Sequence, residues 1–241
     1  MRFLKLFFCI VVFSILLCIN NTAYAMNTGF STEELSQIEI DKFLSNMDIS
    51  MVFKRPLERT IYCFDVNEEG MIAIGSNEFL SEFKAISVFN ADGDFLYGYE
   101  FECSGNFGLE WDGENIIIYF VRSNIATSVN KRGQIEELLE IENSIDNNTY
   151  WNEEIYADRR NVNNIEYLAQ KNMCFLNLFA TSSSQLISTN ANGDKNVIYD
   201  VNDSYFRNLL IMFIAVVALV SIAVIGVWRE IKKYMSSSKV A

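Results

Sequence analysis

A stretch of 20 consecutive residues without a charge, Leu209 to Trp228, constrains this 241-residue chain more than any other feature. At about 1.5 Å of rise per residue, a helix of this length covers the roughly 30 Å hydrocarbon core of a bilayer. The alternative, a buried core helix, needs an apolar environment on all sides that a domain of this size does not supply. The sequence therefore predicts a transmembrane helix over residues 208–228, with the lipid bilayer as a partner.

Basic residues orient this helix. Arg229, Lys232 and Lys233 follow the uncharged stretch directly, in the tail formed by residues 229–241. Such clusters stay on the cytoplasmic side of a membrane. We therefore expect a single-pass protein of the cell membrane with a cytoplasmic C-terminus and with residues 26–207 outside the cytoplasm.

The N-terminus has the three parts of a secretory signal peptide. Two basic residues precede an apolar run from Leu6 to Ile19, and Ala23-Tyr24-Ala25 supplies a small-x-small cleavage site. We expect cleavage there, which removes residues 1–25. An uncleaved signal anchor is the alternative, and it leaves residues 26–207 on the same side of the membrane.

Composition limits the chemistry of the exported part. The chain contains no histidine, which excludes Ser-His-Asp and Cys-His catalysis, HExxH metalloproteases and haem or zinc held by histidine. Six of the 19 basic residues and one of the 31 acidic residues lie outside residues 26–207, so that segment has a net charge of -17. This charge repels nucleic acid and anionic lipid head groups, and it is compatible with a cationic partner, metal ions or simple solubility.

The exported cysteines and acidic residues do not indicate a cofactor. Cys63, Cys103 and Cys174 are an odd number at long spacings, so we predict no disulfide. Asp92 and Asp94 lack the ligand spacing of a calcium loop, and we predict no metal site. The chain has no P-loop, G-x-S-x-G or dinucleotide fingerprint, and we predict no cofactor.

Short β-prone runs separated by turns repeat between residues 60 and 201. Three N-x-x-G turns start 40 and 60 residues apart, and their glycines are Gly93, Gly133 and Gly193. A second turn lies about 20 residues before each of these glycines, at residues 67–70, 112–115 and 170–172. Asn, Asp and Gly supply the left-handed conformations that hairpin turns require. This pattern predicts that each unit is a four-stranded antiparallel meander. In the third unit, one of the predicted strands covers Met173–Phe179.

The first unit carries a family resemblance. Phe64–Gly75 followed by Ile86–Tyr97 resembles the blade repeats of NHL-type β-propellers, and the likeness extends over about 140 residues. The signal peptide, three blade-like units and C-terminal helix together resemble small clostridial single-pass membrane proteins, a family that implies topology and little about activity. Closed propellers have four or more blades. The resemblance thus implies an open, curved array with one edge covered by a strand at Asp48–Phe53, or a ring completed by two chains as a homo-oligomer.

The predicted fold class is mainly β, with three consecutive four-stranded antiparallel blade-like meanders in a partial or open propeller-like array. A capping-box pattern at Ser31–Glu34 and the apolar spacing up to Met47 predict a short N-terminal helix, although Ile38–Asp41 also alternates like a strand. The predicted parts are a signal peptide (1–25), helix and linker (26–59), extracytoplasmic β-repeat domain (60–207), transmembrane helix (208–228) and tail (229–241).

The segment Asn143–Asn161 interrupts the repeat with a long insertion. Aromatic residues beside carboxylates and arginines on such a loop are typical of a recognition surface. We therefore predict ligand or partner binding by Trp151, Glu153, Tyr156 and Arg159. The alternative is that the aromatics pack on a blade edge and shield its unpaired strand groups.

Two function classes fit these features. The first is a membrane-anchored extracytoplasmic binding or interaction module, favoured because repeated β-scaffolds present loops and because no catalytic set is visible. Its partner is then a protein outside or within the membrane. The second is an anchored carboxylate-dependent hydrolase of cell-surface polymers, with acid pairs such as Glu153 and Glu154. A hydrolase requires acidic side chains that converge within about 5 to 10 Å in one cleft.

Overall fold

Antiparallel β-sheet dominates the computed structural model, which describes residues 26–54, 59–77, 82–178, 180 and 182–237. The predicted signal peptide, residues 1–25, lies outside the described residues. The described strands form three sheets, and one long apolar helix follows them. The predicted fold class is therefore confirmed.

The N-terminal segment forms strand β1 (Thr32–Glu34), helix α1 (Gln37–Asn46) and strand β2 (Ile49–Val52). The predicted helix is present, but Ser36 and Glu39 form its capping box. The Glu39 carboxylate accepts the Ser36 N–H at 3.1 Å, and the Ser36 hydroxyl oxygen accepts the Glu39 N–H at 3.4 Å. The capping box predicted at Ser31–Glu34 was wrong because strand pairing of Thr32–Glu34 overrides the local helix signal.

The first sheet is a four-stranded meander with an added strand at its outer edge. Its order is β2, β6, β5, β4 and β3, where the meander strands are β3 (Cys63–Val66), β4 (Ile72–Asn77), β5 (Phe83–Phe89) and β6 (Phe95–Glu102). β2 pairs antiparallel with β6, from Ile49 opposite Phe101 to Val52 opposite Gly98. The predicted edge strand at Asp48–Phe53 is thus present.

The second sheet repeats this plan. Its meander consists of β7 (Phe107–Asp112), β8 (Asn115–Phe120), β9 (Ile125–Val129) and β10 (Ile135–Ile141). β1 pairs with β10, so this outer edge also carries a strand from the N-terminal segment. The turns at Gly93 and Gly133 have φ of +86° and +75°, as the predicted hairpins require.

The third sheet is a meander without an added strand, and its strands differ from the prediction. They are β11 (Arg159–Val162), β12 (Ile165–Gln170), β13 (Gln185–Thr189) and β14 (Lys195–Asp200). The β13–β14 turn contains Gly193, as predicted, but the first hairpin turns at Asn163 and Asn164 rather than at residues 170–172. The strand predicted over Met173–Phe179 was wrong, since Cys174–Leu178 forms a 3₁₀ turn in the β12–β13 connection.

The insertion between the second and third sheets is mostly helical. It forms helix α2 (Ile145–Tyr150), a π-helical turn (Trp151–Ile155) and then β11. The Ser144 hydroxyl accepts the Asn147 N–H at 3.1 Å and caps the start of α2. The prediction of a loop over Asn143–Asn161 was therefore wrong, because most of this segment forms α2, the π-helical turn and the start of β11.

The first sheet lies between the other two. One face, which includes Tyr99, packs against Phe107 and Leu109 of the second sheet, and the opposite face, which includes Phe64, packs against Leu186 of the third. The far face of the second sheet is covered by the N-terminal residues Met26 and Phe30 and by Ile155 of the insertion. Strands buried on both faces have no polar alternation, which explains the continuous apolar run in β8.

Helix α3 (Asn202–Ser237) starts two residues after β14 ends. Within Asn202–Arg229, the most apolar window of 18 residues has a mean hydropathy of 3.1, and this window is not buried by the rest of the described chain. By length and composition this helix is able to cross a membrane. One residue, Val201, therefore separates the last strand of the β-domain from α3.

Candidate functional site

The outer face of the third sheet is the sheet face that no buried cluster of the described residues covers. Directly opposite residues in antiparallel strands lie on the same face. One row across this face consists of Arg159, Leu168, Ile187 and Val197. The neighbouring row consists of Asn161, Glu166, Thr189 and Lys195. An apolar centre with polar surroundings is the usual anatomy of a protein interface.

We call this outer face of the third sheet the open face. A recess of about 650 Å³ lies at its edge, beside the hairpin turns. It is lined by Asn161, Asn163, Asn164, Glu166, Thr189 and Asn190. Asn163 and Asn164 have φ of +52° and +61°, the left-handed conformations that a tight hairpin needs. Of the amides that line the recess, Asn163 donates to the Glu68 carbonyl at 2.7 Å, and Asn190 accepts the Asn192 N–H of its own turn at 3.0 Å.

Hydrogen-bonded side chains fix the opposite end of the open face. The Gln170 amide donates to the Gln185 oxygen at 2.8 Å, and the Gln185 amide donates to the Asp200 carboxylate at 2.8 Å. These contacts link three strands of the sheet. They therefore hold the side chains of Gln170, Gln185 and Asp200 in place at this end of the open face.

The glycines of the three N-x-x-G turns differ in how closely the neighbouring sheet packs against them. A Cβ atom at Gly93 would lie 2.8 Å from the carbonyl oxygen of Ile198, on the outermost strand of the third sheet. A Cβ atom at Gly133 would lie 2.8 Å from Met51 Cγ, on the outermost strand of the first. Around Gly193 no atom of the described chain lies within 4 Å of such a Cβ atom. Within the described residues, no further sheet therefore packs against the Gly193 turn of the third sheet.

Of the four residues predicted to bind, Arg159 lies on the open face. Its guanidinium is 2.7 Å from the carboxylate of Glu166, which lines the recess. Sequence reasoning missed the rest of this face because it assigned β11 to a loop. The signal was the alternation of Arg159 and Asn161 with Arg160 and Val162, which is typical of a half-buried strand.

Trp151 and Tyr156 are half-buried in an aromatic cluster on the far face of the second sheet. Their rings stack at 5.6 Å between centroids, and Trp151 also contacts Phe30 at 4.9 Å. The Tyr156 hydroxyl donates to the Phe107 carbonyl at 3.1 Å. These contacts favour packing over recognition for the two aromatics. Glu153 is exposed on the π-helical turn, and its role in binding stays a prediction.

A buried ion pair joins the first strands of all three sheets. Arg160 Nε of β11 donates to Asp65 Oδ1 of β3 at 3.0 Å, and the backbone N–H of Trp111 in β7 donates to Asp65 Oδ2 at 2.8 Å. The Arg160 guanidinium also donates to the Glu154 carbonyl and lies 5.4 Å from the ring centroid of Phe64. Asp65 thereby holds the three sheets in a common position.

Glu110 is a second carboxylate between β7 and the insertion. It accepts the hydroxyls of Tyr119 at 2.5 Å and of Tyr150 at 2.6 Å. Burial raises the pKa of Glu110 above its ordinary value of 4.5, and the two tyrosine hydroxyls oppose this shift. The proximity of Asp65 adds to the increase in the pKa of Glu110.

The carboxylates of Asp65 and Glu110 connect neighbouring elements of the fold through hydrogen bonds. Each oxygen of Asp65 and of Glu110 already accepts a hydrogen bond from the protein. A glycosidase carboxyl has to reach a substrate oxygen or a water molecule instead. Within the described residues no group of three or more His, Cys, Asp and Glu side chains is placed to hold a metal ion.

Comparison with known proteins adds no family assignment. No protein-family model and no curated protein matches the chain, so the resemblance to clostridial membrane proteins gains no support. A solved streptogramin B lyase is 14% identical with a TM-score of 0.26, over 65% of this chain and 46% of that one. A catalytically inactive virginiamycin B lyase from Staphylococcus aureus, with quinupristin, is 12% identical with a TM-score of 0.25, over 64% and 46%. The chain thus spans about half the length of these two lyases.

Proposed function

We propose that this chain is a membrane-anchored extracytoplasmic binding module that holds a protein partner on its open face. The observation that carries the proposal is the difference between the sheets. Both faces of the first and second sheets are packed against protein, whereas no buried cluster of the described residues covers the open face of the third sheet. A partner that covers Leu168, Ile187 and Val197 would complete the packing that the other two sheets already have.

Charge selects the kind of partner. Residues 26–207 carry a net charge of -17, so two copies of this domain repel each other. A neutral or basic protein approaches without this repulsion. On the open face itself, Arg159 and Lys195 balance Glu166 and Asp200, which suits a partner whose contact surface is also mixed in charge. We therefore favour a different protein over a second copy.

The proposed orientation places the open face outside the cytoplasm. Arg229 directly follows the uncharged stretch, and Lys232 and Lys233 lie one turn further along, so this end of α3 stays in the cytoplasm by the positive-inside rule. The β-domain precedes α3 and lies on the other side.

Reporter fusions test this orientation. An enzyme that is active only outside the cytoplasm should give activity when fused after Asp200 and none when fused after Ala241, because α3 separates the two positions. A reporter active only inside the cytoplasm serves as the control and should give the reverse pattern. Activity of the first reporter after Ala241 but not after Asp200 would contradict the orientation.

Site-specific photocrosslinking tests the open face in intact membranes. A photoreactive residue at Val197 should give an adduct with one other protein, and the same residue at Leu96 of β6, which is similarly exposed, should give none. Arg159→Glu should remove the adduct, because it reverses a charge in the contact while it breaks an exposed ion pair worth no more than about 1 kcal/mol of stability.

The size and position of the adducts decide between the alternatives. Equal adducts at Val197 and Leu96 would show that the open face is not specific. An adduct of two copies of this chain would contradict the heterologous partner and support a ring completed by two copies. Mass spectrometry of the adduct distinguishes these results.

A further inference from the structure

Apolar side chains of the β12–β13 connection lie beside the start of α3. Leu176 of the 3₁₀ turn is buried with Leu209, the first residue of the uncharged stretch. The ring of Phe175 lies against the ring of Phe213, with centroids 6.1 Å apart. Because each helical residue rises about 1.5 Å, Phe213 lies about 6 Å further along α3 than Leu209. Phe175 is therefore level with the apolar part of the helix.

The side chains of Phe175 and Leu178 in the β12–β13 connection are exposed. Phe175 is 55% exposed and Leu178 is 87% exposed, although both neighbour a buried cluster. Hydrogen bonds hold the connection in this form, since Asn177 accepts the Met173 N–H at 2.9 Å and donates to the Lys171 carbonyl at 3.2 Å. The exposure of the two side chains is thus part of an ordered structure.

We infer that this connection is a second membrane contact, in which Phe175 and Leu178 insert into the outer leaflet of the bilayer. The inference rests on the proposed function, because it requires α3 to span the membrane. The lipid surface is identified as the occupant by continuity, since Phe175 touches a residue inside the uncharged stretch. Two contacts fix the tilt of the β-domain, which a single helix does not, and they hold the open face at a set height above the membrane.

Quenching by brominated lipids tests this contact in the full chain. The protein carrying Trp228→Phe and Leu178→Trp is reconstituted into phosphatidylcholine vesicles whose acyl chains are brominated near the head group. Trp111 and Trp151 also emit, so the emission of the added tryptophan is taken as the difference from Trp228→Phe alone. We expect this difference to fall by at least half. The matched control is Leu96→Trp in the same background, where the added residue lies on β6 and should keep its emission. Phe175→Trp provides a second position in the connection.

The native Trp228 separates failure of this inference from failure of the anchor. Trp228 lies at the end of the uncharged stretch, and its emission is the difference between the unmodified chain and Trp228→Phe. This emission should be quenched if α3 spans the vesicle membrane. If Trp228 is quenched but neither Leu178→Trp nor Phe175→Trp adds a quenched signal, the anchor stands and the second contact is wrong. If Trp228 itself keeps its emission in these vesicles, the anchor is wrong and the second contact with it.

Discussion

Asp65→Ala is expected to lower the free energy of unfolding by about 3 to 5 kcal/mol, because it leaves the buried Arg160 charge without its partner. The side chains of the pair are only 14% and 13% exposed. Asp65 also accepts the Trp111 N–H, so the change loosens the contact of the second and third sheets with the first. Urea denaturation of the full chain in detergent, followed by circular dichroism of the β-sheet signal, measures the loss.

The neighbouring arginine provides the matched control. Arg159 pairs with Glu166 at 2.7 Å, a shorter distance than in the buried pair, but these side chains are 55% and 38% exposed. Exposed ion pairs contribute less than about 1 kcal/mol, so Glu166→Ala should have a small effect on stability. A loss for Asp65→Ala no larger than that for Glu166→Ala would contradict the structural role of the buried pair.

Trp151→Ala should cost about 3 kcal/mol of stability, the usual loss when a large packed aromatic is truncated. Trp151 contacts Phe30, Tyr119 and Tyr156, and these contacts cover the far face of the second sheet. If Trp151 is instead a recognition residue, its truncation should abolish partner binding and leave the unfolding midpoint nearly unchanged. The same denaturation experiment separates the two roles.

Glu153→Ala is the control for this prediction. Glu153 lies two residues from Trp151 on the same π-helical turn but is exposed, so its removal should change stability by no more than about 0.5 kcal/mol. Equal unfolding midpoints for Trp151→Ala, Glu153→Ala and the unmodified chain would contradict the packing role of Trp151 and favour a role in binding.

The repeating turns made most of the fold predictable. Gly93, Gly133 and Gly193 each occupy a left-handed position that few residues tolerate, so their spacing located three hairpins directly. The third unit was harder because Asn163 and Asn164 replace glycine in its first hairpin and β11 lies at the end of the insertion. Helix α1 was displaced for a different reason, since β1 finds its partner in β10, which a local pattern does not reveal.

The candidate site was less predictable than the fold. Arg159 was identified by residue type, but the open face is defined by register across four strands and by the absence of a covering cluster among the described residues. Composition does not encode either property. The buried Asp65 carried a signal that was available, an acid between Phe64 and Val66 in an apolar run, but its partner Arg160 lies 95 residues away.

The strand β1 has consequences for the timing of folding. It pairs with β10 through Thr32 and Ile141, so its partner is synthesised more than 100 residues later. Contacts of such long sequence separation form slowly because the intervening chain has to be ordered first. Until they form, the outer edge of β10 is available to strands of other chains. The N-terminal segment is therefore the first part of the domain to be made and one of the last to be fixed, and its return ends the period in which the new chain is prone to mispairing.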